Sequence, residues 1–305
     1  MANLQIDSNF VGDFAGNYIS AALKSAATLD YLTVLENVKY KRNISTLAAT
    51  GGTALIQNAS CAFEDLGELS LTEKIITPKN LAINIDLCKN ELLEDWQSLQ
   101  MQAGAHNSNM SSDFAAYVMS YLADTIANGT ETSCWTGAAA NAGEFEGFLT
   151  ATTGAFAVDT VTTGSVSGTL DATNIVANLG ECVATIPANV YHKAADDLYI
   201  YMNPKNYRFY ISAMATEGYQ NLYSMNTDFV PTFEGIKIAV CPAMNDNELV
   251  AAQKSNMFFA TDLLSDQTQI SMLDGAAWGS DNIRVVVKYS GGVQTGIASD
   301  ITWIN

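Results

Sequence analysis

Residues 69–88 read LSLTEKIITPKNLAINIDLC, and the fold of the chain depends on this stretch. Apolar side chains alternate strictly with other residues over 81–87, and a looser apolar pattern covers 69–76. Period-two alternation is typical of a strand with one covered face, and Pro78 marks a turn between the two runs. We therefore predict a two-stranded hairpin. An isolated hairpin is only marginally stable in water, so other parts of the assembly must cover its apolar face.

Downstream of the hairpin, the pattern changes to helices mixed with strands. A long helix is predicted over 107–129, begun by Ser111 or Ser112 and ended by Asn128-Gly129. Its predicted apolar face consists of Phe114, Val118, Tyr121, Leu122, Thr125 and Ile126. Later helices are predicted to begin at Asp171 and Pro204, and strands are predicted over 198–202, 236–240, 248–252, 256–261 and 283–287. This mixture of elements predicts an α+β fold.

Upstream of the hairpin, residues 1–50 are predicted to form an N-terminal arm. Its segment 38–44, VKYKRNI, is the densest basic stretch of the chain and alternates like a strand. Lys39, Lys41 and Arg42 either lie on a solvated edge strand or contact an acidic surface of a neighbouring molecule. The residues alone leave both interpretations open.

Charge and composition exclude several classes of function. The chain has 14 Lys and Arg against 32 Asp and Glu, a formal net charge of −18, so tight wrapping by nucleic acid is not expected. Neither a transmembrane segment nor a secretory signal is present, and no membrane partner is predicted. Charged residues make up 15% of the chain, against about a quarter in an average soluble domain. One explanation is that much of the surface is buried against other subunits.

The sequence contains no pattern that indicates catalysis. The five cysteines, Cys61, Cys88, Cys134, Cys182 and Cys241, are widely spaced without C-x-x-C, which favours reduced thiols in a core. Neither His106 nor His192 has a second histidine at metal-ligand spacing, and the phosphate-loop, dinucleotide and serine-nucleophile motifs are absent. We therefore predict no enzyme, cofactor or metal site. The alternative is a hydrolase whose nucleophile and base, such as Cys182 and His192, meet only in the fold.

This order of parts resembles the major capsid protein of tailed bacteriophages, with the Hong Kong 97-like fold. The resemblance implies five segments: an N-terminal arm at 1–50, an extended hairpin loop at 51–100, a peripheral domain with a long spine helix at 101–168, an axial α/β domain at 169–255, and a return to the peripheral domain at 256–305. The stretches that carry it are 69–74, 81–89, 108–129, 145–149, 197–204, 258–263, 283–289 and 293–297.

The resemblance also implies a function and partners. Such proteins assemble as hexamers and pentamers into an icosahedral shell that encloses double-stranded DNA without tight specific binding. The implied location is the virion capsid, assembled in the host bacterial cytoplasm. Because the sequence starts directly with the arm, a separate scaffolding protein and a portal are expected, and a decoration protein is an optional partner. An encapsulin-like compartment shell, or a phage tail or connector protein, is the alternative function.

Contacts between subunits are the only site that the sequence predicts. They are expected from the basic segment and from the apolar residues of the hairpin: Lys39, Lys41, Arg42, Leu71, Ile75, Leu81, Ile83 and Ile85. Some family members form covalent crosslinks through a lysine of the loop, and Lys74 or Lys79 would be that lysine here. Nothing in the sequence identifies the partner asparagine or the catalytic acid, so we do not expect crosslinking.

Overall fold

The computed structural model describes residues 27–50, 68–88, 112–193, 197–218, 232–262, 270–275, 279 and 282–305. Parts of several predictions lie outside these residues: 1–26 of the arm, 51–67 and 89–100 of the extended loop, and His106. In the described parts of the chain, thirteen strands form two large sheets and one separate two-stranded ribbon, with helices packed against the sheets.

The first sheet is organised around one long strand. It contains β1 (Thr33–Leu35), β4 (Lys79–Cys88), β10 (Met257–Ala260), β11 (Ile270–Asp274) and β12 (Asn282–Thr295). Strand β12 pairs with β4, β10 and β11, all antiparallel, and β1 continues the sheet beside β10. Alternate residues of β12 are buried, namely Ile283, Val285 and Val287, because only one face of this strand packs on the core.

The second sheet is covered on both faces. Its strands lie in the order β5 (Thr162–Gly164), β13 (Thr302–Ile304), β9 (Leu249–Gln253), β6 (Leu198–Met202), β8 (Ile236–Val240) and β7 (Thr232–Phe233). Ile200 and Met202 point into one apolar cluster, whereas Tyr201 between them points into the other. The unbroken apolar run of β6 follows from this double coverage.

Five α-helices lie within the described residues. They are α1 (Ser112–Thr136), α2 (Ala155–Asp159), α3 (Ile175–Thr185), α4 (Ala188–Lys193) and α5 (Pro204–Thr216). Helix α5 begins as predicted, because Pro204 occupies its first turn and the Asn203 side chain accepts a hydrogen bond from the Lys205 amide. The predicted start of α3 is four residues early, since Asp171 instead closes a turn by accepting from the Thr173 and Asn174 amides.

The predicted end of α1 at Asn128-Gly129 is wrong, because the helix continues to Thr136. Glycine inside a helix costs about 1 kcal/mol relative to alanine. The extra turns bury Cys134 and Trp135 completely, and burying a large apolar side chain contributes roughly 1.5–3 kcal/mol. Burial therefore outweighs the local stop signal. On the predicted apolar face, Leu122 and Ile126 are buried, whereas Tyr121 is exposed.

Residues 27–35, which were predicted within the arm, are part of the body of the molecule. The Thr28 amide donates to Glu131 Oε2 at 3.0 Å, its hydroxyl donates to Glu131 Oε1, and Trp135 Nε1 donates to that hydroxyl at 2.8 Å. The Tyr201 hydroxyl donates to the Tyr31 carbonyl at 2.7 Å. A 3-10 turn (Ala27–Tyr31) and β1 are thus fixed against α1 and both sheets.

The predicted hairpin between 69–76 and 81–87 is wrong. Strand β3 (Glu68–Ile76) pairs with β2 (Arg42–Thr50), and β4 pairs with β12 over ten register positions. The two residues between β3 and β4, Thr77 and Pro78, carry the chain from the ribbon into the first sheet instead of turning it back. Gly292 makes room for this crossing, since a Cβ there would lie 3.0 Å from Pro78 Cα. Alternation alone does not distinguish a neighbouring strand from a distant one.

Candidate functional site: the ribbon and the basic bend

The ribbon formed by β2 and β3 has two chemically different faces. Residues directly opposite each other in an antiparallel pair point to the same side, and the register pairs Leu47 with Leu71, and Ile44 with Lys74. One face, called the outward face, has as its described side chains Asn43, Ser45, Leu47, Leu69, Leu71, Glu73 and Ile75. The other, called the inward face, has Arg42, Ile44, Thr46, Ser70, Thr72, Lys74 and Ile76.

The outward face is open to solvent and, among its described side chains, combines four large apolar ones with three polar ones. Leu47, Leu69, Leu71 and Ile75 are 65%, 59%, 63% and 50% exposed. These four account for every exposed large apolar side chain described in the ribbon, and all four lie on the same side. Exposed apolar side chains scattered singly are normal, whereas a contiguous group marks a surface that contacts another molecule.

The inward face is polar along the ribbon and contacts the body at its base. The Thr46 and Thr72 hydroxyls lie 2.7 Å apart across the two strands. At the base, Ile76 is buried in a small cluster with Val38 and Ala260. The ribbon therefore turns its polar side toward its own body and its apolar side away from it.

A basic bend joins the body to the ribbon. It consists of residues 39–42 and lies between β1 and β2, where Lys39, Lys41 and Arg42 are all exposed. The Lys41 ammonium lies over the Tyr40 ring at 5.2 Å from its centroid, and Tyr40 is 73% exposed. Within the described residues, none of these three cations forms an ion pair. The bend is therefore a patch of uncompensated positive charge on an acidic chain.

The remaining predicted contact residues lie elsewhere. Leu81 is 7% exposed and belongs to the main core, and Ile83 and Ile85 pack against that core. All three are on β4, beside the central strand β12. The reason for proposing them, an apolar face left uncovered by the chain itself, therefore does not apply to Leu81.

Sequence reasoning missed Leu47 and Leu69 as members of the apolar face. Leu69 stood within the predicted hairpin, but its pairing with β4 would have placed it beside different neighbours. Leu47 lies in a stretch of small residues, STLAAT, whose pattern gives little indication of a strand. The direct pairing of Leu47 with Leu71 was the missing information, and it depends on the register between two residues that are twenty-four positions apart in the chain.

Both lysines considered for crosslinking are held within the chain. Lys74 Nζ lies 2.7 Å from Asp159 Oδ2. Lys79 Nζ donates to the carbonyls of Ala139 and Glu144 at 2.8 and 2.7 Å. In the same loop, the Ala138 amide donates to the Glu144 carboxylate, which holds the pKa of that group below its usual range. Both ammonium groups thus serve internal contacts in this conformation.

The buried titratable groups are arranged for packing. Cys134, Cys182 and Cys241 are free and buried, and burial raises the pKa of the Cys182 thiol to about 12. Such thiols remain protonated at neutral pH and are poor nucleophiles. His192 is exposed on α4. Among the residues described, no group of three or more histidine, cysteine or acidic side chains has the geometry to hold a metal ion.

A buried polar contact joins α1 to the segment before β1, where Glu131 accepts hydrogen bonds from Thr28. Burial raises the pKa of Glu131, although its carboxylate accepts hydrogen bonds from Thr28. Glu248 is a second case, since its burial also raises its pKa and its carboxylate accepts from Asn245 and from the Trp303 indole.

No helix in the described ranges has the length and hydropathy needed to cross a bilayer.

Comparison with known proteins identifies the class of fold. No protein-family model and no curated protein matches the chain. Solved structures do match. The capsid of a native GTA particle has a TM-score of 0.59 at 12% identity, covering 92% of this chain and 89% of that one. The capsid of Myoviridae Phage XM1 has a TM-score of 0.57 at 12% identity, covering 92% and 91%.

A third match comes from a different source. The virus-like particle from Pyrococcus furiosus has a TM-score of 0.54 at 11% identity, covering 96% of this chain and 100% of that one. Together these matches define a class, that of proteins with a capsid-shell fold. The chain has the mixed helix-and-sheet fold of Hong Kong 97-like capsid proteins, which confirms the fold predicted from the sequence.

Proposed function

We propose that this chain is the major capsid protein of a tailed phage and that it acts structurally, without enzymatic activity. The observation that carries the proposal is the outward face of the ribbon. This chain has a capsid-type fold, and four of its exposed apolar side chains lie on the side of the ribbon turned away from its own body. In an obligate shell, a second copy of the same chain lies next to such a face and can cover it.

The energy available from this contact is modest per subunit and large per shell. Burying a leucine or isoleucine side chain completely contributes about 1.5–3 kcal/mol. Since the four side chains are already partly covered, their full burial contributes roughly 4–7 kcal/mol per ribbon. Repeated at each subunit of a closed shell, this favours assembly without making a single contact irreversible.

The wider assembly follows from the same proposal. Copies form hexamers and pentamers of an icosahedral shell, with the extended loop comprising β2, β3 and their connection, and with the six-stranded sheet and its helices as the axial domain. Lys39, Lys41 and Arg42 contact a neighbouring copy, and so do Leu71 and Ile75. The basic bend suits an acidic neighbour, since the chain carries a net charge of −18.

The proposed shell encloses double-stranded DNA and works with auxiliary proteins. An acidic chain lining the interior confines double-stranded DNA without retaining its phosphates. A separate scaffolding protein, a portal and a decoration protein are the expected partners, and the virion, assembled in the host bacterial cytoplasm, is the expected location. A protein-filled compartment is the second candidate, favoured by the likeness to the Pyrococcus furiosus virus-like particle.

The test compares two matched double variants by sedimentation velocity and negative-stain electron microscopy. Leu47→Ser/Leu71→Ser changes a directly opposed pair on the outward face, and Thr46→Ser/Thr72→Ser changes the adjacent pair on the inward face. We expect capsomers or shells from the wild type and the threonine variant, and small species from the leucine variant. A wild-type chain that stays monomeric, or equal assembly by both variants, would contradict the proposal. Particles filled with protein would favour the compartment.

A further inference from the structure

Two groups of side chains attach the ribbon to the body, one apolar and one ionic, and Gln294 Nε2 adds a contact to the Ile75 carbonyl at 3.4 Å. The apolar point is the cluster of Ile76, Val38 and Ala260, against which Ile44 packs. The ionic point lies two residues along β3, where Lys74 Nζ is 2.7 Å from Asp159 Oδ2. Asp159 is the last residue of α2 and so belongs to the body, 85 positions further along the chain. A ribbon that contacts the body at one position can rotate about it, whereas contacts at separate positions restrict the direction of the ribbon.

The ionic point is a network of three side chains. Lys74 Nζ also lies 3.2 Å from Thr295 Oγ1, and the Thr295 hydroxyl donates to Asp159 Oδ2. Thr295 is fully buried at the end of β12, opposite Met257 of β10, so it holds the carboxylate in a rigid part of the first sheet. The network thus links strand β3 of the ribbon to strand β12, the central strand of the first sheet.

Burial makes this ion pair stronger than a surface pair. The Lys74 and Asp159 side chains are 24% and 13% exposed, so water and salt screen their attraction less than at an open surface. Removing one partner would leave the other charge poorly solvated and without its counter-charge. Asp159 also ends α2, where backbone carbonyls already favour a cation. Both effects make separation of the pair costly.

We propose that the Lys74–Asp159 pair, braced by Thr295, is an ionic elbow that sets the direction in which the ribbon leaves the body. Lys74 lies on the inward face, so closing the pair pulls that face toward the body and turns the outward face away from it. The elbow therefore keeps Leu47, Leu69, Leu71 and Ile75 from folding back onto their own chain. Its consequence for shell assembly rests on the proposed function, but its effect on ribbon direction does not.

The experiment measures the direction of the ribbon by the distance between two spin labels. Genetically encoded labels at Thr72 on the ribbon and Glu181 on α3 avoid the cysteines, and both positions are exposed. Labelled chains carry Leu47→Ser/Leu71→Ser and are diluted into excess unlabelled chain with the same two changes, so that neighbours neither orient the ribbon nor add distances. The variants are Lys74→Asp, Asp159→Lys and the charge swap that combines them.

We expect one narrow distance distribution with both native charges, a distribution about twofold broader in each single variant, and recovery of the narrow distribution in the swap. The matched control is the pair Lys205–Asp246, whose charged atoms lie 2.8 Å apart but whose side chains are 56% and 54% exposed. Reversing that pair should leave the distribution unchanged.

Two results would overturn the elbow: single variants as narrow as the parent, or a swap as broad as the single variants. If instead the wild-type chain fails to assemble while the charge swap restores a narrow distribution, the proposed function fails and the elbow stands. Electron microscopy of the same variants with both leucines restored then shows whether a loosened ribbon yields misshapen particles.

Discussion

Leucines 71 and 81 are ten residues apart in one alternating stretch, and we expect their truncation to have opposite effects. Leu81 is 7% exposed in the main core, where Leu→Ala substitutions cost about 2–5 kcal/mol. Leu71 is 63% exposed on the ribbon, so only about a third of the side chain is covered and the expected cost is under about 1 kcal/mol. Leu81→Ala should therefore unfold at clearly lower denaturant concentration, and Leu71→Ala close to the wild type.

The assays for this pair separate folding from assembly. Urea unfolding followed by circular dichroism at low protein concentration gives the free energy of unfolding, because assembly would otherwise stabilise the native state by mass action. Sedimentation at higher concentration gives the assembled fraction, which should fall for Leu71→Ala. If the Leu71→Ala chain loses as much unfolding free energy as the Leu81→Ala chain, the assignment of Leu71 to a surface between subunits is wrong. A Leu81→Ala chain of wild-type stability would equally contradict the placement of β4 in the body.

Three further outcomes follow from buried groups and close contacts. Because burial raises the folded-state pKa of Glu131, wild-type stability should fall as pH rises through that value, and Glu131→Gln should remove this part of the pH profile in urea titrations at several pH values. Asn206 is fully buried, and neither of its amide atoms has a hydrogen-bond partner among the residues that the structure describes, so Asn206→Leu should raise the unfolding free energy by about 1–3 kcal/mol, whereas Asn203→Leu, which removes the cap of α5, should lower it. Gly292→Ala places a Cβ 3.0 Å from Pro78 Cα and should lower the melting temperature, whereas Gly180→Ala, which has open space around it, should raise it; equal effects of the two would refute the close crossing.

Local signals in the sequence were sufficient for several elements. Strands Leu198–Met202 and Ile236–Val240 and the start of α5 at Pro204 lie where the sequence predicted, because each is specified by its own apolar run or by residues at its end. The predicted stop at Gly129 failed because the burial of Trp135, six residues later, decides the helix end. A local signal of about 1 kcal/mol is easily outweighed by packing.

The candidate site was predicted only in part for a related reason. Its basic bend and Ile75 and Leu71 were found from composition and alternation. The division of the ribbon into two faces depends on the partner strand and its register, and β2 and β3 are separated by residues that carry no pairing signal. The Lys74–Asp159 pair joins positions that are far apart in the chain, so only the folded chain brings it together.

The two-residue link between ribbon and body has a mechanical consequence. Thr77 and Pro78 connect β3 directly to β4, and β4 lies antiparallel to β12 over ten register positions. A pull along the strand axis at the ribbon therefore loads the whole β4–β12 ladder in shear, and its hydrogen bonds must yield together rather than one after another. Tension on the ribbon would in this way be spread through the central strand of the first sheet instead of peeling a strand from its edge.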